Sequence, residues 1–530
     1  MAKYRILVTD GVSPRGVEVL SGSQEFEVVE VKSMKEPELL AKLPEFDALI
    51  VRSQTKVSGA VIKACKRLKV IGRAGVGVDN VDVDAATAQG VVVMNTPGGN
   101  TISTAEHSFA MLLSVARQIP QAHASMKEGK WDRKTFQGTE INNKVLGIIG
   151  MGRIGSEVAR RAFAFGMRVL AYDPYLSLAR ARSLQVELFS NLEELLPQCD
   201  FITVHMPMTD ETKGLLDEKK LALCKKGVRI INCARGGLVV EAALQKAMES
   251  GHVAGAAFDV YEQEPPAEDF GLRKLPNMVM TPHLAASTFE AQESVGVEIA
   301  EAIRDLLLTG TIRNAVNMPS VDSKTLETLR PYLNFGTSLG KMLSQIAPAH
   351  CDTLTVTYRG KMSEMDTTSI TRAVLKGFLH NAEGGSVNEV NVPKVAEGMG
   401  LKFNQIKQSE VADYSDLVEV KASSGSESAE VAGAFFGTNP RIVRINGYSL
   451  EAAPEGVLLM FENKDRPGIV GWIGTLLGKN SVNIAHMALS RSKETAKALS
   501  VLNLDSLPSA SALEEIRKGQ DIFNVRTVQL

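Results

Sequence analysis

Three residues in the middle of the chain are of the types that transfer protons and bind carboxylates. They are Arg235 in "INCARGGLV", Glu264 in "FDVYEQEPP" and His283 in "MTPHLAAST". Each follows an apolar run that predicts a strand. Ligands of open α/β sheets bind at the carboxyl ends of the strands, so we expect the three side chains to lie along one edge of a sheet.

The three residue types fit the oxidation of a hydroxy acid. An arginine can hold a carboxylate through two parallel hydrogen bonds and polarise the adjacent carbonyl. A histidine can accept the hydroxyl proton while a hydride leaves the same carbon, and a neighbouring carboxylate stabilises the imidazolium and raises its pKa. Taken singly, Arg235 could form a surface ion pair, Glu264 could face solvent and His283 could cap a helix. In combination with a nucleotide loop, the three favour catalysis.

The segment "KVLGIIGMGRIGSEVARR" predicts that nucleotide loop. Gly150, Gly152 and Gly155 follow a buried strand pattern and precede a helix pattern. Glycines at this spacing let the backbone approach a pyrophosphate at the N-terminus of the helix. Asp173 ends the next strand pattern, "RVLAYDP", where a carboxylate binds the ribose 2′-hydroxyl and repels a 2′-phosphate. We therefore expect NAD rather than NADP. The alternative is that the glycines serve only the packing of the helix on the strand.

Composition excludes several other classes of protein. The net charge of −2 gives no reason to expect a nucleic acid or an anionic membrane as partner. We find no run of about 18 apolar residues, the length that a membrane-spanning helix needs. The five cysteines contain no CxxC pair, so neither a disulfide framework nor a metal site is expected. The start, "MAKYRILVTDG", has a strand pattern and no targeting pattern, and we expect a cytoplasmic protein.

At 530 residues the chain is too long for one core, and its pattern changes along its length. The first ~310 residues alternate strand and helix patterns, which predicts doubly wound parallel sheets. The long segment "NTISTAEHSFAMLLSVARQI" predicts a connecting helix between two strand series. Further on, "ETLRPYLNFGTSLGKMLSQIA" predicts a helix, "TLTVTYRGKM" a strand and "ASSGSESAE" a loop or exposed turn. The last ~75 residues follow a βαββα-type order, and neither tail unit shows a cluster of catalytic residue types.

Several motifs together resemble the D-isomer-specific 2-hydroxyacid dehydrogenase family. They are "VRSQTKV", "GRAGVGVDNVD", "VMNTPGGNT", "KWDRKTFQGTE", "GMGRIG", "NCARGG", "FDVYEQEPP" and "PHLAAST". The resemblance implies that Arg235 binds substrate, that His283 is the general acid and base, and that Glu264 is its partner. The positions that it implies to contact or surround NAD, beyond the glycines, are Arg153, Ile154, Asp173, Cys233 and Asp259. The chain departs from the family at Val240, usually an aspartate, and at Ala285, often a glycine.

The resemblance also implies an α/β fold in which the nucleotide domain is inserted into the substrate domain. A flavodoxin-like substrate-binding domain would span residues 1–97 and 285–317, and a Rossmann NAD-binding domain residues 98–284. An α+β intervening domain would span residues 318–452, and a ferredoxin-like ACT regulatory domain residues 453–530, as in the long-form members of the family. Closure of the cleft between the first two domains would exclude water from the hydride transfer.

The resemblance to the long-form members implies the oxidation of D-3-phosphoglycerate to 3-phosphohydroxypyruvate with NAD, the first step of the phosphorylated L-serine biosynthesis pathway. A phosphate requires further cations, and Arg52, Ser53, Arg73, Gly75 and Asn95 lie at predicted strand ends of the substrate domain. Lys56 is a weaker candidate. Arg133 and Lys134 fall in a region that belongs to the dimer interface in relatives, where each could equally be a plain surface residue.

Three other functions stay open from the sequence. One is a different 2-hydroxyacid dehydrogenase, such as a hydroxypyruvate or glyoxylate reductase, which typically lacks the two tail domains. Another is an NAD-sensing corepressor, which would have peptide-binding or disordered extensions. The third is an amino-acid-binding regulator with an inactive core, which the presence of all three reacting residues disfavours.

The tail segment "FENKDRPGIVGWIGTLLGKNSVNIAHMAL" resembles an ACT domain. In serine-regulated relatives two of its positions bind the amino acid at a pair of domains, and they correspond to Asp465 and Asn483. L-Serine is therefore a candidate effector, and we expect a homodimer or homotetramer. Some relatives have a histidine where this chain has Asn463. Alternatively, Asp465, Pro467 and Gly468 only shape a turn, and Asn483 caps a loop.

Overall fold

A computed structural model describes residues 3–380, 387–409, 414–492 and 496–530. Met1 and Ala2, at the start of the first predicted strand, lie outside these ranges. The described chain forms four β-sheets in sequence order, two parallel, one mixed and one antiparallel. Within these ranges, every helix is too short or too polar to cross a membrane.

The first sheet has five parallel strands in the order β2-β1-β3-β4-β5. The strands are β1 (Tyr4–Val8), β2 (Phe26–Glu30), β3 (Ala48–Val51), β4 (Val70–Arg73) and β5 (Val92–Met94). The helices between them are α1 (Pro14–Ser21), α2 (Glu36–Lys42), α3 (Gly59–Ala64) and α4 (Val83–Gln89). Helices cover both faces, which is why "ALIV" of β3 is buried throughout. The strand β2, with the sequence "FEVVE", is only partly buried and has the weakest apolar pattern of the five.

The second sheet has seven parallel strands in the order β12-β11-β10-β9-β6-β7-β8. They are β6 (Val145–Ile149), β7 (Arg168–Tyr172), β8 (Glu187–Phe189), β9 (Phe201–Val204), β10 (Val228–Asn232), β11 (Val253–Phe258) and β12 (Met278–Met280). The helices are α5 (Thr101–Arg117), α6 (Ile119–Lys127), α7 (Arg153–Ala164), α8 (Leu178–Ser183), α9 (Leu192–Leu195), α10 (Glu218–Leu223) and α11 (Glu241–Glu249). The predicted connecting helix corresponds to α5. The strand order reverses between β6 and β9, and ligands of such sheets bind at that point.

After β12 the chain returns to the first sheet through α12 (Phe289–Thr309). This helix packs closely on α1, where a Cβ added at Gly16 would lie 2.6 Å from the carbonyl carbon of Gly296. Ile299 and Ile303 of α12 fill the space beside Gly72 on β4. The Rossmann-type sheet is therefore inserted into the flavodoxin-like unit, as the sequence analysis expected. The residue numbers 97/98 and 284/285 given for the boundaries stay predictions.

The third unit is an α+β domain around a six-stranded mixed sheet in the order β14-β13-β15-β16-β17-β18. Its strands are β13 (Thr353–Gly360), β14 (Lys402–Gln408), β15 (Asp416–Ser424), β16 (Glu427–Phe436), β17 (Asn439–Ile445) and β18 (Tyr448–Ala452). Its helices are α13 (Ser323–Ile346), α14 (Thr367–Phe378) and α15 (Val392–Gly398). Of the predicted loop "ASSGSESAE", only Gly425 and Ser426 form the turn, and the rest belongs to β15 and β16. Ala422 and Ala429 are buried, whereas the serines of the segment are not. Because the serines and glutamates outnumber the alanines, the segment has the composition of a loop although it forms two strands.

The last unit is a four-stranded antiparallel sheet in the order β20-β21-β19-β22, the ferredoxin-like arrangement. The strands are β19 (Val457–Lys464), β20 (Ile484–Arg491), β21 (Lys497–Leu504) and β22 (Ile522–Gln529), and the helices are α16 (Ile469–Lys479) and α17 (Ala510–Arg517). The strand β22 completes the predicted βαββα order. Because side chains alternate along a strand, Leu459 and Phe461 pack under the helices. Leu458 and Met460 join the core of the third unit.

Candidate active site

The side chains of His283 and Glu264 form a hydrogen-bonded pair at the carboxyl end of the second sheet. His283 Nδ1 lies 2.8 Å from Glu264 Oε2, and the other carboxylate oxygen of Glu264 accepts a hydrogen bond from the amide of Tyr261 at 3.1 Å. About half of the His283 side chain is exposed, so a ligand can reach the imidazole. The predicted partnership of these two residues therefore has the geometry of an acid–base pair.

The pair changes the protonation of both residues. The hydrogen bond and the charge of Glu264 raise the pKa of His283 above its ordinary value, although burial opposes the shift. Burial raises the pKa of Glu264, but the hydrogen bond and the charge of His283 outweigh it and leave the pKa below the usual range. The two shifts agree in favouring an imidazolium beside a carboxylate.

A buried aspartate fixes the turn that carries His283. Asp259, just beyond β11, is fully buried and accepts hydrogen bonds from Thr281 Oγ1 at 2.6 Å and from the amides of Leu284 and Ala285 at 2.8 and 2.9 Å. Its backbone carbonyl accepts the amide hydrogen of His283, whose φ is +56°. Burial raises the pKa of Asp259, but these hydrogen bonds and one from His107 outweigh it and lower the pKa. Asp259 thus holds the His283 turn in a conformation that non-glycine residues seldom adopt.

Arg235 lies on the loop after β10 and reaches across to the first sheet. Its Nη1 donates to the carbonyl of Ala234 at 2.7 Å, and its Nε lies 3.4 Å from Asp79 Oδ2. Asn232 shapes the loop, because its amide nitrogen donates to the carbonyl of Arg235 at 2.8 Å. The charge of Arg235 acts on His283, whose pKa it lowers slightly against the effect of Glu264. Arg235 therefore pairs with a residue of the first unit, and its charge also reaches the histidine of the acid–base pair.

A cavity of about 460 Å³ lies between the two parallel-sheet units beside this pair. Glu264 and His283 line it from one side, and Arg52, Ser53, Arg73 and Gly75 line it from the first sheet. Burial, together with the charge of Arg235, lowers the pKa of Arg73 to about 10, which still leaves it charged at neutral pH. The buried Arg73 Nε has no hydrogen-bond partner among the described residues. Several cations around one cavity make a site for an anion.

Two glycines and an aspartate build the loop after β6. Gly150 has a φ of +97°, and a Cβ at Gly155 would overlap the carbonyl oxygen of Gly150, so α7 can begin only because both are glycines. Nothing lies within 4 Å of a Cβ added at Gly152, which leaves space for a ligand at the N-terminus of α7. Asp173 accepts the amides of Met151 at 2.8 Å and of Tyr175 at 2.9 Å. The residues present fit a dinucleotide.

The remaining predicted cofactor positions differ in exposure. Arg153, the first residue of α7, is exposed at its start and lies near Gly98. Ile154 packs against the core beneath the sheet. Cys233 is buried in that core, and burial raises the pKa of its thiol. Cys233 is therefore packed under the candidate cofactor site.

Some predicted substrate residues lie away from the cavity wall. Asn95 uses its amide nitrogen to donate to the carbonyl of Val76 at 2.6 Å, which supports the loop after β4. Arg133 and Lys134 are exposed on the loop after α6 and, like Lys56, do not line the cavity. Any contact between Arg133 and a substrate requires a second subunit or a rearranged loop.

The sequence analysis missed three residues that support the site. His107 on α5 lies 3.2 Å from both Asp259 Oδ1 and Thr281 Oγ1. Asp10 accepts the amides of Arg52 and Thr55, and Asn80 donates to the carbonyls of the same two residues. Asp10 could have been found from the sequence, because it stands at the end of a strand pattern in "VTDG". His107 lies within a long helical pattern, and nothing in that pattern distinguishes it from its neighbours.

The two predicted effector residues lie near the ends of α16. Asp465 precedes the helix and pairs with Arg491, with 3.3 Å between Oδ2 and Nε. Asn483 is exposed after the helix and donates to Asp505 Oδ2 at 2.8 Å. Asn463 is buried within the sheet, where it accepts a hydrogen bond from Ser500 Oγ at 3.0 Å. Across the described ranges, no group of three or more His, Cys, Asp or Glu side chains could hold a metal ion.

Comparison with known proteins adds the family. The NAD-binding domain of the D-isomer specific 2-hydroxyacid dehydrogenases matches residues 109–285, and the D-3-phosphoglycerate dehydrogenase intervening domain matches residues 328–446. The D-3-phosphoglycerate dehydrogenase of Archaeoglobus fulgidus is 44% identical over 531 residues, which cover 99% of this chain and all of the relative. The D-3-phosphoglycerate dehydrogenase of Bacillus subtilis is 41% identical over 530 residues, which cover 99% of this chain and 100% of the relative.

Solved structures resemble the first part of the chain. A glyoxylate reductase from Paecilomyes thermophila is 32% identical with a TM-score of 0.55, and the match covers 60% of this chain and 99% of that one. The apo D-lactate dehydrogenase of Escherichia coli is 29% identical with a TM-score of 0.52, and the match covers 59% of this chain and 99% of that one. The reductase and lactate dehydrogenase thus correspond to the two parallel-sheet units, whereas the curated relatives also match the tail.

Proposed function

The chain belongs to the D-3-phosphoglycerate dehydrogenases of the D-isomer-specific 2-hydroxyacid dehydrogenase family, and from this premise we propose how its residues act. The reaction is the oxidation of D-3-phosphoglycerate to 3-phosphohydroxypyruvate with a nicotinamide dinucleotide, which opens the phosphorylated route to L-serine. The observation that carries the residue assignment is the 2.8 Å contact between His283 and Glu264 on the wall of an arginine-lined cavity.

His283 acts as the base toward the 2-hydroxyl group. Its Nδ1 is engaged by Glu264, so the proton on a neutral imidazole stays at Nδ1 and the lone pair at Nε2 can accept the hydroxyl proton. Glu264 stabilises the imidazolium that results. A nicotinamide dinucleotide held at the loop of Gly150, Gly152 and Gly155 would supply the acceptor for the hydride of the same carbon. In the reverse direction His283 returns the proton from Nε2.

Different arginines bind the two anionic groups of the substrate. Arg235 binds the carboxylate and polarises the developing carbonyl, because it pairs with Asp79 of the cavity wall and its charge acts on His283. Arg52, Ser53 and Arg73 bind the phosphate from the first sheet, and Gly75 leaves room for the guanidinium of Arg73, which a Cβ there would overlap. Asn95 supports this loop, and Arg133 of a second subunit binds the substrate.

Asp173 binds the ribose 2′-hydroxyl and thereby selects NAD over NADP, with Arg153 and Ile154 beside the glycine loop and with Cys233 and Asp259 just after β10 and β11 of the same sheet. The protein acts as a homodimer or homotetramer in the cytoplasm. L-Serine, the distant product, binds at Asp465 and Asn483. The domain boundaries are those predicted from the sequence.

The test is NADH formation with D-3-phosphoglycerate at alkaline pH beside D-lactate and D-2-hydroxyglutarate. We expect phosphoglycerate to give the highest kcat/KM. His283→Ala should lower kcat by roughly 10²-fold to 10⁴-fold while NADH still binds. His252→Ala is the matched control, because His252 contacts only the carbonyl of Leu221 among the contacts described for it. Good turnover of another acid without turnover of phosphoglycerate would refute the substrate assignment.

A further inference from the structure

Asp79 is, with Glu264, one of two acidic side chains in the wall of the cavity that Arg52 and Arg73 also line. It follows β4, lines the cavity together with Arg52 and Arg73, and is largely exposed, with 73% of its side chain accessible. Its Oδ2 lies 3.4 Å from Arg235 Nε, although the two residues belong to different sheets. A carboxylate in an anion-binding site repels the substrate unless it serves another purpose.

The backbone around Asp79 is tied to the loop that carries Arg52. Within the turn, the amide of Val81 donates to the carbonyl of Val78 at 2.9 Å. The neighbouring Asn80 donates through Nδ2 to the carbonyl of Arg52 at 2.8 Å and to that of Thr55 at 2.7 Å. The backbone at Asp79 is therefore held by the same turn that holds the candidate phosphate-binding loop.

The guanidinium of Arg235 is anchored on two of its three nitrogens. Nη1 donates to the carbonyl of Ala234 at 2.7 Å, and Nε faces Asp79. Nη2 rests against the backbone of Gly77, where any Cβ would overlap it. A long arginine side chain loses considerable rotamer entropy when a substrate fixes it, so a guanidinium that is already anchored binds a carboxylate at lower cost.

We propose that Asp79 is a positioning residue for the substrate carboxylate: it holds Arg235 in its binding orientation and acts only through Arg235. The inference rests on the proposed role of Arg235. Since 73% of the Asp79 side chain and 29% of the Arg235 side chain are accessible, solvent screens the pair, and its removal weakens substrate binding by only about twofold to fivefold. The NAD site and the acid–base pair do not depend on Asp79.

The test is a double-mutant cycle on the full chain. We measure the Kd of D-3-phosphoglycerate for the enzyme loaded with NADH, a dead-end complex that does not react, from the change in NADH fluorescence. Asp79→Asn should raise this Kd about twofold to fivefold when Arg235 is present and leave it unchanged in Arg235→Ala. In steady-state assays, Asp79→Asn should raise KM by the same factor with kcat unchanged.

Controls separate this role from a structural one. Asp84→Asn removes an exposed carboxylate on the adjoining helix, outside the cavity, and should leave Kd and KM unchanged. Asp79→Ser provides a second variant without the carboxylate, and the Kd of NADH should stay constant in every variant. An unchanged or lower Kd in Asp79→Asn, or an equal effect with and without Arg235, would overturn the proposal. If Arg235→Ala alone left the Kd unchanged, the role of Arg235 in the proposed function would also fall.

Discussion

His283 and Glu264 meet at 2.8 Å although one follows β12 and the other follows β11. Their contact shifts the two pKa values in opposite directions, upward for the imidazole and downward for the carboxylate. The pair therefore stays ionised over a wider pH range than either residue alone. In the proposed mechanism this sets how the two directions of the reaction depend on pH.

Replacing Glu264 by Gln should move both pH profiles to lower pH. Oxidation needs the neutral imidazole and reduction needs the imidazolium. Because Glu264 raises the pKa of His283, its removal lowers the pH at which oxidation appears and the pH at which reduction is lost. The measurement is kcat/KM against pH in both directions. Glu268→Gln, an exposed carboxylate of the same loop, should leave both profiles in place. A profile that did not move in Glu264→Gln would contradict the assignment.

Replacing the buried Asp259 by Asn should destabilise the protein and disturb the His283 turn. Asparagine keeps one of the two acceptor oxygens, and its amide nitrogen cannot replace the other, so either the amide of Ala285 or the donors of Thr281 and Leu284 lose their acceptor. Leaving buried donors unsatisfied costs about 1–3 kcal/mol each, and we expect a loss of about 2–4 kcal/mol in the free energy of unfolding. Chemical denaturation with intact substrate-free protein measures this loss, and an unchanged midpoint would contradict it.

The same aspartate predicts a pH dependence of stability. Its folded pKa lies below the ordinary value, so its contribution is present above the unfolded pKa and disappears as the pH falls through the folded pKa. The difference in unfolding free energy between the wild type and Asp259→Asn should therefore shrink below about pH 4, the ordinary pKa of an aspartate. A constant difference down to strongly acidic pH would show that hydrogen-bond geometry alone accounts for it.

Replacing Arg52 by Ala tests the phosphate assignment. Arg52 lines the cavity from the first sheet and is held by Asp10 and Asn80, whereas the acid–base pair lies on the second sheet. Loss of a charge-assisted contact of about 1.5–3 kcal/mol corresponds to a loss of about tenfold to a hundredfold in kcat/KM for D-3-phosphoglycerate. Activity on D-glycerate, which has no phosphate, should change far less. Equal losses on both substrates would instead place Arg52 at the carboxylate.

Much of the site could be predicted because local patterns report strand ends. Arg235, Glu264 and His283 each follow an apolar run, and parallel strands bring such positions to one edge. The support around them could not be predicted, because His107 on α5 reaches Asp259 across the sequence from the middle of a helix. For the same reason the approach of Asp79 to Arg235, between two sheets, leaves no local signal. Asn95 lies at a strand end, but its amide supports the loop at Val76.

Replacing Asp173 by Ala should relax cofactor choice. The carboxylate accepts two backbone amides at the end of β7, next to the glycine loop, and a 2′-phosphate would lie beside its negative charge. Removing that repulsion, worth at least about 1.4 kcal/mol, should lower the NAD-to-NADP ratio of kcat/KM by tenfold or more. The variant also loses the hydrogen bonds from the amides of Met151 and Tyr175, and a lower Tm measures that structural effect apart from cofactor choice. A ratio that stayed constant would assign Asp173 to the loop structure alone.

L-Serine should stabilise the full-length protein and change its rate if Asp465 and Asn483 form an effector site. Both residues pair within their own sheet unit, Asp465 with Arg491 and Asn483 with Asp505, so a ligand must compete with these contacts or bind to the other oxygen of Asp465 and the amide oxygen of Asn483. A ligand at a hundred times its Kd adds about 2.7 kcal/mol to the stability of the state that binds it. We therefore expect millimolar L-serine to raise Tm in the wild type but not in Asn483→Ala, with D-serine as the control. Unchanged Tm and unchanged rate at saturating L-serine would leave the two residues as parts of turns.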